Sequence, residues 1–253
     1  MKLKKTKISY LCYVIIIILI MSYIIYYSLE YKEYINNRSL NKDGFCIIYN
    51  PEYSNQTIDY PCSQLRDDVL NKLPPNYEFI DYIYNIKNAS LTTFHRDVTS
   101  SQHTFNTKYP IYTLILYKYN GEFISVCPGS NKTYPFVLSN IINIEGKKGT
   151  AILFNSDLLH AGRPNNCKER NIIQYKICHK DDMQKLKHLH KINIKKESKC
   201  IINIYNKTMR KLSYFFEMPI NYFAYTIMLK KEPENTFIGQ IQKMIPLNYY
   251  NNI

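Results

Sequence analysis

GTAILFNSDLLHAGRPNNCKER, residues 149–170, is the stretch that decides how this chain reads. Thr150–Asn155 is a short apolar run of strand length, and Asn155-Ser156-Asp157 punctuates it as a turn. His160 follows the turn, and Arg170 opens the next β-rich run, Asn171–His179. Upstream, FHRD at 94–97 closes another such run, Ser90–His95. On a strand, residues i and i+2 point the same way, so His95 and Asp97 share a face. Two imidazoles and one carboxylate are the facial set that suits non-haem iron(II), with open positions left for a bidentate co-substrate and oxygen. An H-x-D pair alone arises often by chance. The order H-x-D, strand, hairpin, strand, His, Arg is what gives it weight. The planar guanidinium of Arg170 is suited to a two-pronged clasp on a carboxylate.

Outward from these motifs, residues 77–179 alternate short β-rich runs with turns: Tyr77–Ile86, Ser90–His95, Ile111–Tyr119, Glu122–Cys127, Phe136–Glu145, Thr150–Asn155 and Asn171–His179. Asn120-Gly121 between two of them is a hairpin signal. Short strands with this punctuation predict a mainly β sandwich or jelly roll. Residues 45–75 carry Pro51, Pro61, Pro74 and Pro75 and read as irregular, with one helix near Ser63–Leu73. Residues 181–253 are Lys-rich and read as a basic, helical extension. Its apolar stretch Leu212–Leu229 contains Glu217 and Pro219, which argues against a membrane span and for a helix packed on the barrel or lying on a membrane.

At the other end, residues 8–29, ISYLCYVIIIILIMSYIIYYSL, carry no charge. About 20 apolar residues span a bilayer core as helix, and Tyr toward both ends suits the headgroup region. Lys2, Lys4, Lys5 and Lys7 precede the run, so the positive-inside rule keeps residues 1–7 cytoplasmic and sends the rest to the lumenal or outer side. A cleaved signal peptide would need a shorter apolar core and a small-residue cleavage site, and neither is present. The expected order is therefore a basic tail (1–7), a transmembrane signal anchor (8–29), a polar stalk (30–44), a jelly-roll domain (45–180) and the extension (181–253). Sequons at Asn37, Asn55, Asn88, Asn131 and Asn206 fit a lumenal domain but carry little weight in so Asn-rich a chain.

The net charge of +13 reads first as a solvated basic surface, although it would also suit nucleic acid or an anionic membrane surface. No zinc finger, recognition-helix pattern or aromatic RNA-binding motif accompanies it, so nucleic acid is not the expected partner. None of the seven Cys forms a C-x-x-C pair, which argues against structural zinc and thioredoxin-like chemistry. Cys12 lies in the apolar run; the other six leave disulfides and free thiols both open.

Taken together, residues 77–180 resemble the phytanoyl-CoA dioxygenase-like branch of the 2-oxoglutarate/iron(II) oxygenases. The resemblance rests on FHRD at 94–97, VCPGSNK at 126–132 and residues 149–170. The family often has P-G-S-H where this chain has Pro128-Gly129-Ser130-Asn131; that His is not a metal ligand. The resemblance implies a double-stranded β-helix, a jelly roll with flanking helices. It implies iron(II) on His95, Asp97 and His160, and 2-oxoglutarate held at its far carboxylate by Arg170, with ascorbate as a supporting reductant. Decarboxylation to succinate would drive hydroxylation of a protein side chain, a glycan or a lipid. Related halogenases lack the carboxylate, so Asp97 points to hydroxylation. The contrasting expectation is a jelly roll without turnover that recognises a glycan or protein partner.

Among other candidates, Tyr112, Thr113 and Tyr117 are placed to touch the co-substrate from a neighbouring strand. Arg96 points away from the ligands. His103 lies in a polar, exposed loop; His179, His188 and His190 read as a basic helical surface; and Asp157 reads as a cap on the turn before His160.

Overall fold

In the computed structural model, the structure describes residues 2–27, 29–34, 37–55, 60–88, 92–134, 136–163, 169–197, 203–217 and 240. It is mainly β, with two mixed sheets. Strands are β1 (Glu30–Tyr34), β2 (Phe45–Tyr49), β3 (Tyr77–Lys87), β4 (Tyr112–Tyr117), β5 (Gly121–Val126), β6 (Ile141–Gly146), β7 (Thr150–Asn155), β8 (His160–Gly162), β9 (Asn171–His179) and β10 (Ile192–Glu197). Helices are α1 (Lys2–Tyr27), α2 (Leu40–Asp43), α3 (Ser63–Leu70), α4 (Gln102–Phe105) and α5 (Ile204–Phe215). The larger sheet runs β10-β3-β9-β4-β7-β2 and the smaller β1-β6-β5-β8.

The central strands are apolar on both faces because both are covered. Leu114 and Leu116 of β4 turn outward with Leu153, Ile173, Tyr175 and Ile177, against Leu65 and Val69 of α3. Ile115 and Tyr117 turn inward with Ile152, Phe154 and Ile172, meeting Phe123, Ile124 and Val126 of the smaller sheet. Each such side chain contributes about 1.5–3 kcal/mol on full burial.

Several expectations change in the fold. Asn120-Gly121 does not close a hairpin: β4 pairs with β7 and β9, whereas β5 pairs with β6 and β8. The turn, with Gly121 at φ 121°, carries the chain from one sheet to the other. The run Phe136–Glu145 is strand only from Ile141, where β6 begins; Phe136 and Leu138 are exposed before it. Residues 30–44 are not a free stalk, because β1 adds parallel to β6 and α2 leads into β2. β2 in turn pairs with β7, within the stretch read as irregular. The start of the run Ser90–His95 and most of Leu212–Leu229 lie outside the described residues, as do Cys167 and Cys200. Cys12, Cys46, Cys127 and Cys178 are free thiols.

α1 forms over the sequence read as the membrane anchor, and its described side chains from Tyr13 to Met21 are exposed. Those described side chains cover only part of the apolar run, and among the described residues no helix is long and apolar enough to cross a membrane.

Residues after 180 are not simply helical. A 3-10 stretch, Lys180–Leu189, leads to β10, which pairs parallel to β3, and then to α5. His179 is buried against Tyr109, and His188 Nε2–H donates to the Thr99 carbonyl (2.8 Å) while its ring stacks on Phe105, so neither lies on a free basic surface. Asp182 pins this segment: its carboxylate accepts from the backbone N–H of Lys108 (2.9 Å) and Tyr109 (2.8 Å). Burial alone would raise its pKa, but these bonds and Lys185 lower it. Asp182→Ala is therefore expected to destabilise the fold by about 2–4 kcal/mol in urea unfolding at neutral pH. With the folded pKa depressed, the stabilisation is complete above the ordinary carboxylate value of about 4 and is lost as pH falls further. An unchanged midpoint at pH 7 would show that the carboxylate contributes nothing.

Candidate metal centre

His95 and His160 face each other because their backbones pair: His95 N–H donates to the His160 carbonyl (2.9 Å) and His160 N–H to that of His95 (3.0 Å). The H-x-D segment is thus a single bridge residue, not a full strand. Asp97 departs at φ −76°, ψ 70° into the 3-10 turn Val98–Ser100. Its backbone N–H donates to the Ser156 carbonyl (2.9 Å), which returns the carboxylate to the imidazoles.

Asp97 Oδ1 lies 3.6 Å from His160 Nε2 and 3.9 Å from His95 Nε2. Ligand atoms from all three residues lie within 4.8 Å of one another. The far nitrogens are already committed: Nδ1 of His95 meets the Thr93 carbonyl and Nδ1 of His160 that of Leu158, each at 2.9 Å. Such bonds put the proton on Nδ1 and leave the Nε2 lone pairs for a metal. Burial, with His95 beside it, lowers the His160 pKa to about 4, so the ring is neutral at physiological pH.

Asp97 Oδ2 accepts from Thr113 Oγ1 (2.6 Å) and from Lys176 Nζ (2.7 Å). Burial alone would raise the Asp97 carboxyl, but Lys176, His160 and His95 hold it well below the usual range. One oxygen is thereby fixed and the other turned toward the imidazoles.

The ligands sit in a cavity of about 410 Å³ that also takes in Arg170, Tyr117, Gln174 and Ile172. Arg170 is 5% exposed, and its Nε and Nη1 have no hydrogen-bond partner among the described residues. Buried donors left unmade are costly, above all on a charged group. The cavity is therefore fitted to an anion that would complete this guanidinium. Gly162 makes the room: a Cβ there would come within 2.6 Å of Arg170 Nη2. Gly162→Ala is expected to push the guanidinium aside and raise the KM for 2-oxoglutarate about tenfold with folding retained, a shift of about 1.4 kcal/mol. An unchanged KM would mean that Arg170 does not meet the co-substrate.

Of the three strand candidates, Thr113 bonds the carboxylate and Tyr117 lines the cavity, whereas Tyr112 packs outward on Tyr77. Arg96 does lie away from the ligands, 1% exposed, where it donates to the Ser130 carbonyl (2.9 Å), the Asp157 carbonyl and Glu217. It ties the His95–Asp97 segment to the turn before His160. His103 is exposed and stacks on Tyr134. Asp157 does not cap its own turn; it is 2% exposed and accepts from the backbone N–H of Gln102 (2.9 Å) at the start of α4.

Lys176 escaped the sequence reading. The signal was there: 170, 172, 174 and 176 share one face of β9 by alternation, and a Lys on an inward face is exceptional.

No protein-family model matches the chain, and no curated protein does either. Among solved structures, it is similar to AviO1 from Streptomyces viridochromogenes (12% identity, 56% of this chain and 92% of that one, TM-score 0.42). HygX from Streptomyces hygroscopicus, with nickel and 2-oxoglutarate bound, gives 14% identity over 56% of this chain and 84% of that one, TM-score 0.42. SnoN, a non-heme alpha-ketoglutarate-dependent epimerase from nogalamycin biosynthesis, gives 10% over 55% and 79%, TM-score 0.41. SnoN is described as alpha-ketoglutarate dependent, and HygX is seen with 2-oxoglutarate or with iron bound; the His-Asp-His set of this chain suits Fe(II) by its donor types. The likeness is remote, and the functional reading rests on the side chains.

Proposed function

We propose that this chain is a membrane-anchored, Fe(II)- and 2-oxoglutarate-dependent dioxygenase that hydroxylates a protein side chain, a glycan or a lipid. The observation that carries the reading is one cavity in which three metal-binding side chains converge beside a buried guanidinium with unmade hydrogen bonds. Fe(II) with 2-oxoglutarate, when bound, supplies oxygen activation coupled to decarboxylation of the co-substrate to succinate. His95 and His160 would offer their Nε2 atoms and Asp97 its Oδ1, and Arg170 would hold the distal carboxylate. Ile115, Ile124 and Ile172 line the same cavity and would limit water beside the co-substrate.

The double-stranded β-helix belongs to the same proposal. β3, β4, β7 and β9 are neighbours in the larger sheet, while β5, β6, β8 and the His95 bridge fall on the smaller side. The chain thus crosses between sheets repeatedly, as such a winding requires. The uncharged run 8–29 after four lysines supports an anchor with the catalytic domain on the lumenal or outer side.

Succinate formation by the full chain in detergent, with Fe(II), 2-oxoglutarate and ascorbate, tests the activity. The full chain is needed because β1 begins directly after the anchor. Turnover that disappears in His160→Ala and needs more co-substrate in Arg170→Lys is expected. A folded protein that binds neither Fe(II) nor 2-oxoglutarate leaves only a binding role.

A further inference from the structure

We propose that Lys176 is a resident counter-charge for Asp97, keeping the three ligands assembled in the metal-free protein at the expense of metal affinity. This rests on the metal-binding part of the proposed function. Lys176 is 1% exposed, and its ammonium makes three hydrogen bonds of 2.7 Å, to Asp97 Oδ2, Ser100 Oγ and Thr113 Oγ1. It also lies 5.9 Å from the centre of the Tyr82 ring. All three donor positions are thus used, so the ammonium is held in place and cannot swing toward a ligand in the cavity.

Among the described residues, Asp97 is the only acidic side chain lining the cavity. Without Lys176 its carboxylate, 11% exposed, would stand beside two imidazoles with one hydroxyl for company, a largely buried charge without a counter-charge. With Lys176, Oδ2 is held and Oδ1 stays aimed at the imidazoles before any metal arrives. The same ammonium opposes the metal: a divalent ion on Oδ1 sits across one carboxylate from a fixed positive charge, in a buried site where screening is weak. An apolar residue at 176 would leave Asp97 to the metal alone. Lys176 therefore sets a trade between a ready-made empty site and tight binding, the setting expected of a metal that exchanges. It is a positioning residue that need not touch substrate.

The test uses the full chain with Lys176→Met, Asp97→Asn, the double variant and Thr113→Val. The thermal midpoint is read after removal of metal, and the affinity for Co(II) by its visible absorption. Lys176→Met is expected to lower the metal-free midpoint by about 10 °C. Asp97→Asn in the same chain should restore most of the loss, because no charge then lacks a partner. Lys176→Met should also bind Co(II) about tenfold or more tightly than wild type, whereas Thr113→Val, which removes a hydrogen bond and no charge, should not. Equal or weaker Co(II) binding by Lys176→Met would overturn the proposal, making Lys176 only an orienting group. If Lys176→Met does not fold without metal, a folded double variant supports the proposal and an unfolded one overturns it. A wild-type chain that binds no Co(II) removes the proposed function instead, and the metal-free cycle still reports on its own whether Lys176 compensates Asp97.

Discussion

His160→Ala is expected to cut 2-oxoglutarate-dependent succinate formation by at least about a thousandfold, the equivalent of about 4 kcal/mol of transition-state stabilisation. The size follows from the ligand count. The cluster has three members, and the described residues hold no fourth His, Cys, Asp or Glu to replace one. A metal left with His95 and Asp97 would be held by a side chain that is partly exposed and by a carboxylate already shared with Lys176. His160 also packs on Phe154, with ring centres 4.6 Å apart, so part of the loss is structural. Metal titration of the folded variant separates the two: lost metal binding with a cooperative unfolding transition retained is the expected pattern. Wild-type turnover in this variant would sink the assignment of the metal site.

Arg170→Met carries the second large effect, and it has two signs. Affinity for 2-oxoglutarate should fall by about 30-fold to 1,000-fold, the cost of truncating one side of a buried charge pair. Metal affinity should change little, because Arg170 is not one of the three clustered ligands. Stability should move the other way. In the co-substrate-free protein two Arg170 donors are buried and unmade, so replacing them with an apolar side chain is expected to raise the thermal midpoint by a few degrees. Arg170→Lys keeps the charge and loses the fork, and should fall between the two. Calorimetric titration of 2-oxoglutarate and a thermal melt decide both parts. A wild-type co-substrate affinity would refute the role of Arg170, and a lowered midpoint would mean that the guanidinium is already satisfied.

The sequence by itself singled out four candidate residues that the fold brings to one cavity, His95, Asp97, His160 and Arg170, and much of the strand inventory. Thr150–Asn155 and Asn171–His179 are strands with the predicted bounds, because buried strands are short apolar runs closed by turn residues. His95, Asp97 and His160 were legible as a candidate set by residue type, but strand alternation is not what joins them: His95 is a lone bridge residue, and Asp97 is turned back by its N–H bond to the Ser156 carbonyl. Arg170 was legible through its place at the head of a strand and the order of motifs around it.

What only the tertiary structure decided is pairing across long separations. An Asn-Gly turn has the same local chemistry whether the next strand pairs back or crosses to another sheet, so the hairpin signal at Asn120-Gly121 was misleading. The polar strand Glu30–Tyr34 has no apolar signal of its own and exists because β6 offers it an edge. Lys176 looked like one Lys among many; only burial against Asp97 makes its charge consequential. Local sequence fixes which residues can ionise, bind or turn, but hydrogen-bond registry and desolvation are properties of neighbours distant in the chain, and those set what each group does.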